Sequence, residues 1–436
     1  MTKLPLFLTN PDPYLYVHGT YLVLDFETTG LDKGSALNPQ NRLLFAAWRT
    51  KGQKMRTRWG GEFDMAPLLE DIAAADFIVA HNAKFELQWL ERCGLDLSTV
   101  VVYDTQIAGY VLGGNMYQSR HLSLDNMARR YKLGYKDPVV SMMIKEGVPV
   151  EDIPASWLEH YCEQDVRLTE KLYKLTVEEL FNNEQLPIMY TRCLLTPALA
   201  DIEKNGMFLD SEKVLPLYDE VEQEYEGLGA TLARLAGGIN LNSGKQLGEF
   251  LYKTLKFPEP KDRHGNPRLT PGGKLPTDAD TITSLPAKTK RQKEFKNAYA
   301  KYRDLHSQLT KYLRKFRDCC EESGGHLIAQ FNQTQTRTHR LSSSGAKYST
   351  QFQNLPRIYK PLFKARKKGW HVYETDGSQL EFRVAVHLGR DKTGLEHLEK
   401  GVDIHSNTAR VIRCERQEAK AHTDRKSTRL NSSHYS

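Results

Sequence analysis

No apolar run in this 436-residue chain approaches the roughly 18 residues needed to span a bilayer. The opening MTKLPLFLTNPDPYLY lacks the basic end, long apolar stretch and small-residue cleavage site of a signal peptide. A membrane partner is therefore not expected, and a cytoplasmic location is. Cysteine is scarce too: Cys93, Cys162, Cys193, Cys319, Cys320 and Cys414 form no CxxC pair and no Cys/His cluster with zinc spacing. That excludes a disulfide scaffold or zinc module and leaves reduced thiols used in packing. No internal repeat is present, so a solenoid is excluded.

With 39% apolar and 26% charged residues, the chain reads as folded rather than disordered. Its length allows two or three domains with separate cores. The net charge of +7 suits a polyanionic partner, and its distribution is more telling. Between Lys288 and Arg317 stand eleven Lys/Arg and only two acids, while Phe295, Tyr299, Tyr302, Leu309, Tyr312, Leu313 and Phe316 recur at steps of three and four. That pattern predicts one long amphipathic helix. Its basic outer face is either an ordinary solvated face or a surface that tracks a phosphate backbone.

From Tyr21 to Leu112, short apolar runs (YLVLDFE, RLLFAAW, DFIVAHN, TVVYD) alternate with helical patterns, which predicts an α/β domain around a sheet. Ser156 to Asn182 is helical. Leu186 to Cys320 is helix-rich, interrupted by KFPEPKDRHGNPRLTPGGKLPTD, whose Pro, Gly and charges predict an exposed loop. Strand-like segments return in HLIAQFNQT and WHVYETD.

Asp25 and Glu27 lie two apart on the first predicted strand, so the pleat aims both carboxylates at one face. Glu86 follows Asn82 by one helical turn, and Tyr161 and Asp165 are four apart on one helix face. Four acids and a phenol in this pattern can converge to hold two divalent cations, the arrangement that hydrolyses phosphodiesters. Hard ions such as Mg²⁺ or Mn²⁺ take these oxygen ligands. Asp104 is either another acid of the cluster or the N-cap of the helix TQIAGYVL, the reading its position favours. His81 either touches substrate or is a hydrogen-bonded structural histidine.

DFETTG, HNAKFE and YCEQD resemble the three motifs of the DEDD exonuclease superfamily in its tyrosine variant, on an RNase H-like fold. The resemblance implies that Asp25, Glu27, Glu86 and Asp165 bind two Mg²⁺ or Mn²⁺ ions and that Tyr161 orients the hydrolytic water. Glu86 stands where that family usually has Asp. Thr28 and Thr29 line the 3′-terminal nucleotide by the same likeness or simply form a turn, and Asn82 is a candidate nucleic-acid contact.

Downstream, LPIMYTRCLLTPALADIEKNGMFLD and NLNSGKQLGEFLYKTL resemble the thumb of family A DNA polymerases of the bacterial polymerase I-like, phage type. FNQTQTRTHRLSSS and FQNLPR resemble their primer-contacting stretch, which places Arg340, Gln353 and Asn354 at primer, template or incoming nucleotide; His339 stands where glycine is common. VYETDGSQLEFRVAVHL is similar to the palm motif with the first polymerase aspartate, Asp376 on a strand end, and with Glu381 near the sugar; Gly377 replaces a common aromatic. RQEAKAHT resembles the start of the fingers helix, with Arg416 and Lys420 facing a triphosphate.

The implied fold is an α/β RNase H-like exonuclease domain (1–182), followed by a mostly α-helical thumb (183–330) and an incomplete α+β palm with the start of the fingers (331–423). The segment 424–436 has no apolar period, and codons that encode Asp424–His434 are similar to a widely used sequencing-library adapter, so a non-native tail is expected. The implied activity is metal-dependent 3′→5′ removal of nucleotides from DNA, proofreading in replication and repair. Nucleotide addition is expected of a full-length parent that also binds deoxynucleoside triphosphate, and not of this chain, which lacks a second palm aspartate. Single-stranded 3′ ends and primer-template duplex are the expected partners, for a monomer in a bacterial or phage-infected cell. Two rival readings stay open: a free-standing RNase D-like exonuclease and a non-catalytic nucleic-acid-binding remnant. Residues 331–423 are expected to be the least stable, with strand edges left open.

Overall fold

A computed structural model describes residues 11–60, 64–114, 116, 121–241, 243–262, 265–344, 351–377, 380–416 and 418–419. Lys420 and the segment 424–436 lie outside the described residues. The chain divides into two compact units, residues 1–370 and 371–436.

The first unit opens with a five-stranded sheet in the order β3-β2-β1-β4-β5. Its strands are β1 (Tyr21–Thr28), β2 (Leu43–Thr50), β3 (Arg56–Trp59), β4 (Phe77–Ala80) and β5 (Val102–Asp104). β1 is central: it pairs antiparallel with β2 and parallel with β4. Covered on both faces, it buries Leu22, Val23, Leu24 and Phe26, which is why it reads as a nearly continuous apolar run. Its pairing with β4 ends at Val23↔Val79, whereas pairing with β2 continues to an irregular step between Glu27 and Thr28. The end of β1 that carries Asp25 and Glu27 thus runs past the parallel part of the sheet, where side chains are free to converge.

The helix Ala155–Asn182 lies across this sheet. Leu158, Tyr161, Cys162, Asp165, Val166, Thr169, Leu172 and Tyr173 are buried on one face, the three- and four-residue steps of a helix with one side in a core. The next helix, Leu186–Asn205, adds Leu186, Met189, Tyr190, Cys193 and Ala200 to the same core. It stops at Gly206, where φ is +56° and a Cβ would fall 2.8 Å from the Leu327 carbonyl oxygen. The chain can turn there into the next strand only without a side chain.

Beyond this point the first unit is largely helical, with two further cores. The helix Ser211–Ala236 packs along Lys290–Gln308 and Arg314–Ser323. The last two are joined by a π-helical turn, Leu309–Leu313, so the predicted amphipathic run is one continuous helical stretch with Phe295, Tyr299, Leu309, Leu313 and Phe316 buried. A small sheet of β6 (Met207–Leu209), β7 (His326–Leu327) and β10 (Phe363–Lys364) lies beside it, and β8 (Gln330–Asn332) pairs with β9 (Ser342–Ser344). HLIAQFNQT is therefore split between two sheets.

In the second unit the helices Leu380–Gly389, Lys392–Glu399 and Ile404–Ile412 follow an extended lead. The expected strand in WHVYETD is not formed: residues 371–377 are exposed and carry no regular structure. An apolar extended segment becomes a strand only when another edge satisfies its backbone, and among the described residues of this unit no other strand is present.

Candidate metal and nucleic-acid site

Asp25, Glu27 and Cys162 bring ligand atoms within 4.8 Å of one another. The two acids come from one face of β1, as the two-residue spacing requires. Cys162 comes from the helix crossing that face and donates its thiol to the Asp25 backbone oxygen at 3.4 Å and to Asp25 Oδ2 at 3.6 Å. Asp165, one turn further along the helix, is 2% exposed, and Glu86, in the first turn of Lys84–Arg92, is 4% exposed. Tyr161, on the same helix as Asp165, is 6% exposed. Among the described residues, Glu86 Oε2 and Asp165 Oδ1 are buried without a hydrogen-bond partner, an expensive state for a carboxylate oxygen unless a cation meets it.

The electrostatics report the same convergence. Burial, then the neighbouring Asp165, pushes Asp25 up to about 7, with Lys136 and the Cys162 thiol acting the other way. Asp165 is raised to about 6 by burial, against Lys136. Glu27 is held well above the usual carboxylate range by burial and Asp25, and Glu86 by burial and then Asp25. These are like charges that cannot all ionise in a dry site. The Tyr161 phenol is pushed up to about 12, chiefly by burial, so it remains a hydrogen-bond donor at neutral pH. Four carboxylates, two with orphaned oxygens, fit hard divalent cations.

Asp104 caps the helix Thr105–Leu112, accepting from Gln106 N at 2.8 Å and Ile107 N at 3.4 Å. The same carboxylate accepts from Asn82 N at 3.0 Å and Ala83 N at 2.9 Å. It therefore holds the turn that launches the Glu86 helix, with Asn82 at φ +67° and its side chain exposed. His81 Nδ1 lies 2.9 Å from Thr105 Oγ1, its Nε2 is buried without a partner among the described residues, and burial, then Lys136, pushes its pKa down to about 3, which keeps the ring neutral. Thr28 and Thr29 are buried, their hydroxyls donating to the Thr29 carbonyl oxygen at 3.2 Å and to Asn41 Oδ1 at 3.0 Å.

Two residues of the site escaped the sequence. Cys162 is adjacent to Tyr161 in the motif, but a lone thiol there signals no more than packing. Lys136, from the loop before the helix Pro138–Lys145, is ion-paired with Asp165 and lies 4.5 Å from the Tyr161 ring centroid. Burial opposes its charge, but Asp165, Tyr161 and Asp25 outweigh burial and hold the ammonium above its ordinary value. No short-range pattern marks it, because it reaches the cluster from outside all three motifs.

Of the residues assigned to polymerase roles, Arg340, Gln353 and Asn354 belong to the first unit and Asp376, Glu381 and Arg416 to the second. Gln353 accepts from the Ser343 hydroxyl, and Asn354 Nδ2 donates to Gln351 Oε1 at 2.8 Å. His339 has φ +59°, the left-handed region that favours glycine; its Nδ1 is 2.8 Å from Arg192 Nη1 and its ring packs edge-on against Tyr110 at 5.2 Å. Arg340, the next residue in sequence, is exposed. In the second unit Asp376 and Glu381 are exposed, and Arg416 Nε donates to Asp403 Oδ2 at 2.6 Å.

Residues 16–180 match the family profile described as 3′–5′ exonuclease, and residues 211–431 match DNA polymerase family A. The second match runs past Thr423 into the segment expected to be non-native. DNA polymerase I of Chloroflexus aurantiacus is 28% identical over 351 residues, covering 76% of this chain and 34% of the relative. The thermostable DNA polymerase I of Thermus aquaticus is 32% identical over 262 residues, covering 58% and 30%. The chain thus spans about a third of the length of such relatives. The POL domain of Pol1 from M. smegmatis, solved in complex with DNA primer-template and dNTP, superposes with a TM-score of 0.70 at 23% identity, over 96% of this chain and 70% of that one; at this identity the likeness shows the fold. With the polymerase profile covering half of its length, the chain belongs to DNA polymerase family A and carries a 3′–5′ exonuclease domain ahead of the polymerase region.

Proposed function

We propose that the exonuclease domain removes nucleotides from DNA 3′ ends, with Asp25, Glu27, Glu86 and Asp165 holding two Mg²⁺ or Mn²⁺ ions. The observation that carries this reading is the convergence of four carboxylates on one cluster, Glu27, Glu86 and Asp165 buried and Asp25 half-buried, with the oxygens Glu86 Oε2 and Asp165 Oδ1 left without protein partners. Divalent ions held there would supply Lewis-acid activation of water and stabilise charge on the scissile phosphate and leaving oxygen. Tyr161, protonated and one turn from Asp165, orients the hydrolytic water by hydrogen bonding. Cys162 fixes the Asp25 carboxylate. The water oxygen bonds to phosphorus, the bond to the 3′ oxygen of the preceding nucleotide breaks, and that oxygen takes up a proton as a nucleoside monophosphate leaves. Thr28 and Asn82, at the ends of β1 and β4, are the proposed contacts to the terminal nucleotide.

For the polymerase region we propose primer-template and deoxynucleoside triphosphate as ligands of a longer protein, with Arg340, Gln353, Asn354, Glu381, Arg416 and Lys420 as contacts and Asp376 as a metal ligand. The solved neighbour's complex with DNA primer-template and dNTP supports these ligand classes.

The test is digestion of 3′-labelled single-stranded DNA. The wild-type chain is expected to shorten it with Mg²⁺ or Mn²⁺ and to stop in EDTA. The Asp25→Ala, Glu27→Ala double variant is expected to be slower by at least about a thousand-fold, ~4 kcal/mol of barrier. Digestion unaffected by that substitution rejects the site, no digestion by wild type returns the non-catalytic remnant, and a strong preference for RNA ends favours the RNase D-like alternative.

A further inference from the structure

The nuclease reading leaves one cation without a role. Lys136 sends its ammonium into the carboxylate cluster, ion-paired with Asp165 and seated over the Tyr161 ring. Its side chain keeps 23% exposure, so it stands at the rim between the buried acids and solvent. The loop that carries it is fixed at several points. Lys136 N donates to Asp125 Oδ1 at 3.0 Å, Gln164 Nε2 on the site helix donates to the Tyr135 carbonyl oxygen at 2.9 Å, and Asp137 caps the following helix by accepting from Val139 N at 2.8 Å. The lysine is delivered by anchored backbone rather than by a wandering arm.

A fixed ammonium in this place offsets the charge of Asp165 and occupies one of its oxygens, while the other, Oδ1, stays buried without a partner. It also bounds the space around the phenol expected to orient water. Four carboxylates and two divalent ions cancel formally, which leaves the lysine to match the single negative charge of a phosphodiester. We propose that Lys136 is a positioning residue of the exonuclease site: an internal counter-cation that pins Asp165 and Tyr161, competes with divalent metal for Asp165, and supplies the positive charge the scissile phosphate requires. This rests on the nuclease reading above.

The competition gives a signature that a purely structural role lacks, because metal affinity and activity should move in opposite directions. In the full chain, Lys136→Met is expected to bind Mn²⁺ about ten-fold tighter by calorimetric titration, since a repelling unit charge a few ångströms away is gone. It should nonetheless degrade single-stranded DNA at least about ten-fold more slowly. Lys136→Arg, which keeps the charge, should stay near wild type in both. Lys136→Gln repeats the neutral test should the methionine variant not fold. Unchanged or weaker Mn²⁺ binding in the neutral variants overturns the proposal while leaving the nuclease reading in place. Absence of Mn²⁺ binding by wild type overturns both.

Discussion

Burying Asp25 and Asp165 beside Glu27 and Glu86 stores like charge where water cannot screen it. With Asp25 raised to about 7 and Asp165 to about 6, the folded metal-free protein holds protons that the unfolded chain has already released. These groups therefore favour the fold at low pH, and their contribution is lost as pH rises from the ordinary carboxylate range through about 7. His81, depressed to about 3, works the other way, since its neutral form is favoured in the fold and its contribution grows as pH rises toward 6.5. A comparison with and without metal cancels the histidine. Divalent ions need the carboxylates ionised, so the melting temperature in Mn²⁺ minus that in EDTA is expected to widen steadily between pH 5 and pH 8. A gap independent of pH would mean that these four acids do not hold the ion. The acid spacings made Asp25, Glu27, Tyr161 and Asp165 legible in the sequence. Lys136 was not, because an ion pair between a loop and a helix 29 residues later (165 − 136) leaves no local pattern.

At the level of elements, one side chain holds two helix starts. Asp104 ends β5, caps the helix that follows, and through β5's pairing with β4 reaches the amides of Asn82 and Ala83. Its substitution should be felt at Glu86, one turn away. Asp104→Ala removes a cap and strands buried amides, and is expected to destabilise by about 2–4 kcal/mol in urea unfolding, with Asp104→Asn costing less because one acceptor oxygen remains. A loss below about 0.5 kcal/mol would contradict this. The cap itself was legible from an acid placed before a helical pattern. The second pair of bonds was not, because it depends on which strands lie side by side. The long basic helix was legible from its apolar period, although its π-turn was not. The Trp370–Asp376 segment forms no strand, because apolar content alone does not supply a pairing edge.

Across the first unit, the nuclease fold and the polymerase region meet through polar anchors rather than through a shared motif. Glu203, on the helix Leu186–Asn205, accepts from Lys84 Nζ at 2.5 Å, from Gln88 Nε2 at 2.8 Å and from Phe331 N at 2.5 Å. Tyr110 donates to the Thr336 carbonyl oxygen. Lys84 and Gln88 flank Glu86 on one helix, so the element that aims Glu86 into the cluster is tied on its other side to β8. Short motifs marked both regions, but this joint links residues more than a hundred positions apart and only the folded chain displays it. Everything proposed for the domain depends on four carboxylates caging divalent ions together. Crystals grown with Mn²⁺ and measured at the manganese absorption edge test that claim most directly. Two anomalous peaks about 4 Å apart, ligated by Asp25, Glu27, Glu86 and Asp165, are predicted; no peak among these residues, or manganese bound only elsewhere, would contradict it.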